Sequence, residues 1–377
     1  MLFLFLTAKM QEAYNSITAV FFMDIQKALA DFKKKIDPEI EKYLDETIKE
    51  LGEKDYFITN ILKYVKKMAL AGGKRLRPAL MYYGYLAVNG KEKNKIIRTA
   101  VSVELIHIFL LIHDDIIDKD DKRHGIDTIH FRYQKLGKKL FPKEDSNHFG
   151  NSMGIIAGDM VSALGNQIIF NSEFSPELIM KTLSKLQSVV SMTVIGEAKD
   201  VYIGYKGRAS EEEILEMYKN KTAKYTVESP LYLGAILGGA NEEVLKNLSR
   251  LSVPIGVAFQ IQDDILGVFG SEKKLGKSVG SDIQEGKQTV LVSKALENSD
   301  SKQRKILKGL LGKNNLTASD VEKFRGIIKE TGSLNYAQNL ARKFIFQSKQ
   351  EIKKAKISKE AKDFLLGIAD YMMDREV

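Results

Sequence analysis

Cysteine is absent from this 377-residue chain, which excludes disulfides and thiolate metal sites. There are five histidines, so oxygen ligands around a hard cation are the expected metal chemistry. Proline is scarce at six residues and strict apolar alternation is rare, which leaves room for long helices and little for strands. No repeat of fixed period and no low-complexity tract occurs. Basic residues do not interleave with aromatics as a nucleic-acid surface requires, so no nucleic acid is expected as a partner. Beyond the amino terminus no segment reads as long enough and free enough of charge to span a bilayer, and MLFLFLTAK is short and lacks a preceding basic stretch. No transmembrane segment and a cytoplasmic location are therefore expected. Residues 1–22 read as an amino-terminal extension, with a start-site artefact as the alternative because Met10 and Met23 offer later starts.

What is present allows a large core. Apolar residues make up 44% of the chain, and residues 23–377 read as one domain. The net charge of +9 is spread along the chain, including Lys63–Lys67, Lys135–Lys143 and Lys349–Lys359, and reads mostly as a solvated surface that can also attract an anion. Helical periodicity predicts segments near 24–52, 56–70, 77–89, 93–119, 150–171, 175–203, 210–238, 242–268, 287–297, 318–332 and 334–376. Glycine-rich punctuation falls at Ala71–Gly73, Gly270–Gly286 and Gly309–Asn315, while Gln134–Asn147 and Ser271–Lys287 read as loops. The expected fold is an all-α bundle.

Two acidic clusters close apolar helical runs. Asp114, Asp115 and Asp118 end FLLIHDDIID, and Asp263 and Asp264 end SVPIGVAFQIQDD. Asp114 and Asp118 stand four residues apart and His107 seven before Asp114, so all three share one helical stripe. Carboxylates at a helix carboxyl end oppose the dipole, so burying a cluster there calls for a compensating cation. A magnesium site holding a phosphorylated substrate is the chemistry this suggests. The turn Gly72-Gly73-Lys74-Arg75-Leu76-Arg77-Pro78 can present Lys and Arg to a diphosphate, and Arg123 can do the same.

These motifs occur in a telling order. GGKRLRP, HDDIID followed by RHG, AGD at Ala157–Asp159, KTA at Lys221–Ala223, FQIQDD at Phe259–Asp264 and GKSVGSDIQEGK at Gly276–Lys287 are similar, in sequence, to the trans-isoprenyl diphosphate synthases, the polyprenyl synthetase family. The resemblance runs from about residue 25 to the carboxyl terminus. It implies long, mostly antiparallel helices around a deep central cavity. It also implies magnesium-dependent head-to-tail (1′-4) joining of isopentenyl diphosphate to an allylic diphosphate (dimethylallyl, geranyl or farnesyl), with release of diphosphate, in a homodimer.

By the same resemblance, Asp114, Asp115, Asp118, Asp263 and Asp264 hold the magnesium ions, and Arg123, Lys221 and Lys277 contact the allylic diphosphate. Lys74, Arg77, His107 and His124 belong to the pocket for isopentenyl diphosphate. Thr222 and Gln260 lie along the reacting carbons, and Asp282 and Lys287 sit on a loop that closes over the site. Ionisation of the carbon–oxygen bond leaves an allylic cation for the isopentenyl double bond to attack, so no protein nucleophile is required and the departing diphosphate can act as base.

The chain departs from the family pattern at three places. His124 replaces a second arginine, Gly267 gives DDILG in place of DDxxD and implies one fewer carboxylate, and Gln134–Asn147 lengthens a connection. Phe109, five residues before Asp114 with Leu110 beside it, implies a channel floor suited to a twenty-carbon geranylgeranyl product. The alternatives are a farnesyl or longer-chain synthase, or a non-catalytic subunit of a heteromeric enzyme. A terpene cyclase would not need GGKRLRP with His107.

Overall fold

The computed structural model describes residues 23–52, 55–270 and 280–373, so the expected extension over residues 1–22 lies outside the described residues. Along the chain run α1 (Ile25–Gly52), α2 (Tyr56–Leu70), α3 (Leu76–Ala87) and α4 (Lys93–Ile117), then a ribbon of β1 (Lys122–Arg123) and β2 (Ile126–Asp127). After these come α5 (Ile129–Leu140), α6 (Ser146–Phe170) and α7 (Pro176–Lys206). One unbroken helical stretch follows, comprising α8 (Glu211–Tyr218), a π-helical segment over Lys219–Glu228 and α9 (Ser229–Leu237). The remainder is α10 (Glu242–Phe269), α11 (Ser281–Gln284), α12 (Val290–Asn298), α13 (Ser301–Leu310), α14 (Ala318–Glu330), α15 (Ser333–Lys354) and α16 (Lys359–Met373).

The all-α expectation holds, with the small antiparallel ribbon as the sole sheet among the described residues. Helix α4 is apolar around its circumference rather than along one stripe, as a helix surrounded by neighbours must be. It packs chiefly on α6, then on α3 and α1, while α10 packs on α15 and on the π-helical segment. Helix starts follow the polar residues that the sequence supplies: Ser210 with Glu213 and Asp300 with Gln303 form reciprocal caps, and Asn241 caps α10. Helices α3 and α9 touch backbone to backbone. A Cβ at Gly234 would fall 1.8 Å from the Met81 carbonyl oxygen, and one at Gly84 would fall 2.2 Å from that of Leu231.

The structure corrects several expected boundaries. The stretch 134–147 is not a loop: its first half belongs to α5, and residues 141–145 alone connect to α6. Its lysines misled, because Tyr133 and Gly137 are the buried face and Lys135, Lys138 and Lys139 the solvated one of an amphipathic helix. The segment 334–376 is two helices separated near Ala355, and α13 falls where no helix was expected.

Three helices, α4, α6 and α7, are long and apolar enough to cross a membrane by length and composition, against the expectation of none. In α4, 72% of the apolar window is buried inside the bundle, so core packing accounts for it; the share falls to 44% in α6 and 28% in α7. Gly234→Ala is expected to lower stability by about 1–3 kcal/mol by forcing α3 and α9 apart, read as a reduced midpoint in urea unfolding.

Candidate functional site

The acidic end of α4 meets the β1–β2 ribbon. Asp114 and Asp118 share a stripe as expected, but Asp115 does not join them. Successive helical residues diverge by about 100°, which turns Asp115 inward. There it is 1% exposed and accepts a hydrogen bond from Arg123 Nε at 2.6 Å. Burial pushes the Asp115 carboxyl up to about 6, with Arg123 opposing and Asp120 and Asp114 adding to the rise. Arg123 is aimed by the tight turn at His124 and Gly125, whose φ angles of 49° and 77° fit the hairpin turn that a right-twisted ribbon favours. The Arg123 guanidinium also lies 3.8 Å from Asp114 and 3.6 Å from Asp120.

Lys221 is delivered by the π-helical segment. A Cβ at Gly196 of α7 would fall 2.4 Å from the Lys221 nitrogen, and one at Gly256 of α10 would fall 2.4 Å from the Ala223 Cα, so glycine on both sides lets the widened turn fit. The ammonium then reaches Glu197 at 2.7 Å and Asp200 at 2.6 Å. Burial works against its charge, but Asp200, Asp114 and Glu197 outweigh burial and raise its pKa. Lys287 plays a matching part, 2.6 Å from Glu285, 3.2 Å from Asp118 and 3.9 Å from Asp282. Burial pushes the Glu285 carboxyl up to about 7, against the pull of Lys287, with Asp118 and Asp282 adding to the rise.

The second cluster is braced from behind. Asp264 is buried and accepts from the Tyr218 hydroxyl and from Gln260 Nε2 at 2.8 Å. Tyr218 in turn accepts from the Val290 amide at 3.0 Å, and the Thr222 hydroxyl donates to Gln260 Oε1 at 2.5 Å. Burial raises both Asp264 and Tyr218 well above their usual values. Asp263 is half-buried on the same helix. Thus Thr222, Gln260 and Asp264 come together as one hydrogen-bonded chain, while Lys277 lies outside the described residues.

Beside this acidic cleft is a cationic one. A cavity of about 200 Å³ is lined by Gly72, Gly73, Lys74, Arg77, His107, Arg123 and His124, together with the apolar Leu111 and Phe259. Arg77 donates to His107 Nε2 at 3.1 Å and to Thr226 at 2.8 Å, and it lies 4.8 Å above the Tyr225 ring. Burial and then Arg77 hold His107 well below the usual histidine value, so the ring is neutral and can accept. Lys74 hydrogen-bonds to the Tyr371 hydroxyl of α16.

Of the three cations in GGKRLRP, Arg75 does not face the cavity as a ligand group. It is 3% exposed and bound to Asp37 at 2.6 Å, Glu104 at 2.6 Å and the Ala69 carbonyl at 2.8 Å. Its left-handed backbone (φ 53°) reverses the side chain into the bundle. Phe109 is buried and meets His113 edge-on at 5.0 Å, with Leu110 half-buried beside it.

A further cleft of about 1370 Å³ is lined by Asp118, Asp120, Glu197, Asp200, Glu285 and Lys287 among others. Among the described residues no three acidic or histidine side chains stand close enough to enclose a metal ion by themselves. The donor set nonetheless fits a hard divalent ion shared with a polyanionic ligand. Carboxylates outnumber the cations Arg123, Lys221 and Lys287 that pair with them; burial raises Asp115, Glu197 and Glu285, and neighbouring carboxylates add to each rise.

Sequence reasoning had passed over Glu197, Asp200, Tyr218 and Glu285. The first two stand three apart on one helical face, which was a readable signal; Tyr218 gave none.

The all-α bundle has the isoprenoid synthase fold of its prenyl synthase neighbours. The chain belongs to the polyprenyl synthetase family, whose model matches residues 58–328, and it is a prenyltransferase. A geranylgeranyl diphosphate synthase of Methanosarcina mazei is 35% identical over 306 residues, covering 81% of this chain and 87% of that protein. A geranylfarnesyl diphosphate synthase of Aeropyrum pernix is 31% identical over 310 residues, covering 81% of this chain and 91% of the other. The crystal structure of a geranylgeranyl pyrophosphate synthase from Corynebacterium glutamicum, complexed with isoprenyl diphosphate and magnesium, superposes with a TM-score of 0.87 at 28% identity, covering 92% of this chain and 99% of that one.

Arg75→Leu should leave Glu104 buried without its partner and cost about 3–5 kcal/mol of stability in chemical unfolding. Arg77→Leu should leave unfolding nearly unchanged and weaken calorimetric binding of inorganic diphosphate by roughly 10–100-fold.

Proposed function

We propose that this chain joins isopentenyl diphosphate to allylic diphosphates by magnesium-dependent head-to-tail (1′-4) condensation, with geranylgeranyl diphosphate as the main product. The observation that carries this reading is the pair of anion-binding regions side by side: an acidic cleft around Asp118 and Lys287, and a cationic pocket around Lys74, Arg77 and His107, with Arg123 at their boundary. Two diphosphates need two such regions, and their adjacency sets the reacting carbons near each other.

The roles follow from placement. Asp114, Asp118 and Asp263, with Asp115 and Asp264 behind them, would hold magnesium, which when bound would neutralise the allylic diphosphate and stabilise it as it departs. Lys221, Arg123 and Lys287 are held by carboxylates now and can turn to phosphate oxygens when the ligand arrives. Lys277 is proposed for the same diphosphate. Lys74 and Arg77 would bind isopentenyl diphosphate, with neutral His107 fixing Arg77 and His124 at the pocket rim. Thr222 and Gln260, hydrogen-bonded to each other, would lie beside the reacting carbons, where their oxygen dipoles could face developing positive charge. The apolar walls at Leu111 and Phe259 exclude water that would quench an allylic cation.

The product length rests on Phe109 below Asp114 and on the resemblance to geranylgeranyl synthases, with a twenty-five-carbon product as the reading that the Aeropyrum relative favours. A homodimer and a cytoplasmic location are proposed with it. The outward apolar residues Ile155 and Ile156 of α6 and Val194, Ile195 and Tyr202 of α7 support pairing through those two helices.

The test incubates the purified chain with magnesium, labelled isopentenyl diphosphate and dimethylallyl, geranyl or farnesyl diphosphate in turn, then sizes the dephosphorylated alcohols. A twenty-carbon alcohol, lost on chelation with EDTA, is expected. A shorter or longer alcohol would overturn the product assignment, and no product with any primer would favour the non-catalytic subunit. Phe109→Ala is expected to shift the products by one or more isoprene units upward, and an unchanged distribution would remove Phe109 from the floor.

A further inference from the structure

We propose that Asp282 supplies the carboxylate that the second aspartate cluster lacks at Gly267, and that Gly267 is the notch that receives it. This deepens the prenyltransferase reading and rests on it. Gly267 lies four residues after Asp263 and three after Asp264, so it shares their helical face. A Cβ built at Gly267 would fall 2.0 Å from Asp282 Oδ2 and 2.9 Å from its Cγ, so the Asp282 carboxylate occupies the space where a side chain at 267 would begin.

The placement of Asp282 is held from two sides. Its carbonyl accepts from the Lys287 amide at 3.0 Å, and its Oδ1 lies 3.9 Å from Lys287 Nζ, which also contacts Asp118 at 3.2 Å. Through that one ammonium Asp282 is linked to the first acidic cluster while standing against the second. The acid standing at this position of the helix therefore arrives from a residue fifteen positions further on.

The consequence is contrary to motif counting. Restoring the acid in sequence by Gly267→Asp adds no ligand and expels Asp282. The experiment titrates the full chain with Mn²⁺ in the presence of inorganic diphosphate and follows bound metal by electron paramagnetic resonance, with thermal unfolding run alongside.

Gly267→Ala and Asp282→Ala are each expected to weaken Mn²⁺ binding about tenfold, as loss of a supporting partner does. The double variant should be no weaker than Asp282→Ala, because both changes break one contact. Gly267→Asp should weaken binding similarly, and adding Asp282→Gly to it should restore affinity to within about threefold of the parent. Additive losses, a harmless Gly267→Ala, or Gly267→Asp that binds as well as the parent would each overturn the proposal. If Gly267→Asp does not fold, the alanine pair decides alone. A parent chain that binds Mn²⁺ with diphosphate yet forms no prenyl product overturns the proposed function and not this contact; one that binds no Mn²⁺ overturns both.

Discussion

The constraint on which the rest depends is the confinement of clustered carboxylates at one end of an apolar bundle. Like charges brought together away from bulk water repel, and each raises the protonation tendency of its neighbours. Here three cations hold the cluster together: Arg123 against Asp115, Lys221 against Glu197 and Asp200, and Lys287 against Glu285 and Asp118. Each cation comes from a different element, the ribbon, the π-helical segment and the segment after α11. The charge balance therefore ties remote parts of the chain to the acidic ends of α4 and α7. A ligand that brings its own phosphate oxygens and divalent ions can exchange partners with these pairs without leaving any charge buried alone.

Backbone shape is what makes the three cations converge. The His124–Gly125 turn reverses the chain so that Arg123 faces back onto Asp115. Gly196 and Gly256 let the π-helical segment sit between α7 and α10, and the extra residue in that turn rotates Lys221 toward the acids while Thr222 meets Gln260. In a regular α-helix the two would be offset from these partners by part of a turn. Tyr218 adds a fixed strut, joining α8, Asp264 of α10 and the start of α12 through one hydroxyl.

Much of this was legible before any coordinates. Helical spacing puts His107, Asp114 and Asp118 on one stripe, while Lys74, Arg77 and Arg123 stand out in the sequence only as cations in a glycine turn and beside the acids. What spacing does not carry is direction around the chain's turns. Arg75 sits between two pocket residues in sequence, yet its buried guanidinium is taken up by Asp37 and Glu104. Asp115 was grouped with Asp114 by adjacency, although adjacency on a helix means divergence. Helix α5 was missed for a related reason, since its lysines are the visible part of a pattern whose buried part is small.

Product length is the property least reducible to one residue. Phe109 packs edge-on against His113, and His113 reaches across to the Ile155 carbonyl of α6 at 3.1 Å. A Cβ at Gly158 would fall 2.3 Å from that imidazole, so α6 offers a hollow into which the ring fits. The packing around Phe109 is thus shared by α4 and α6, and changing any of Phe109, His113 or Gly158 alters the support of the others. Relatives whose names specify twenty-carbon and twenty-five-carbon products lie at 35% and 31% identity, a gap too small to separate one isoprene unit by similarity alone. The volume enclosed by two packed helices can change by that unit through small shifts in several side chains, while the charged end that performs the chemistry stays the same.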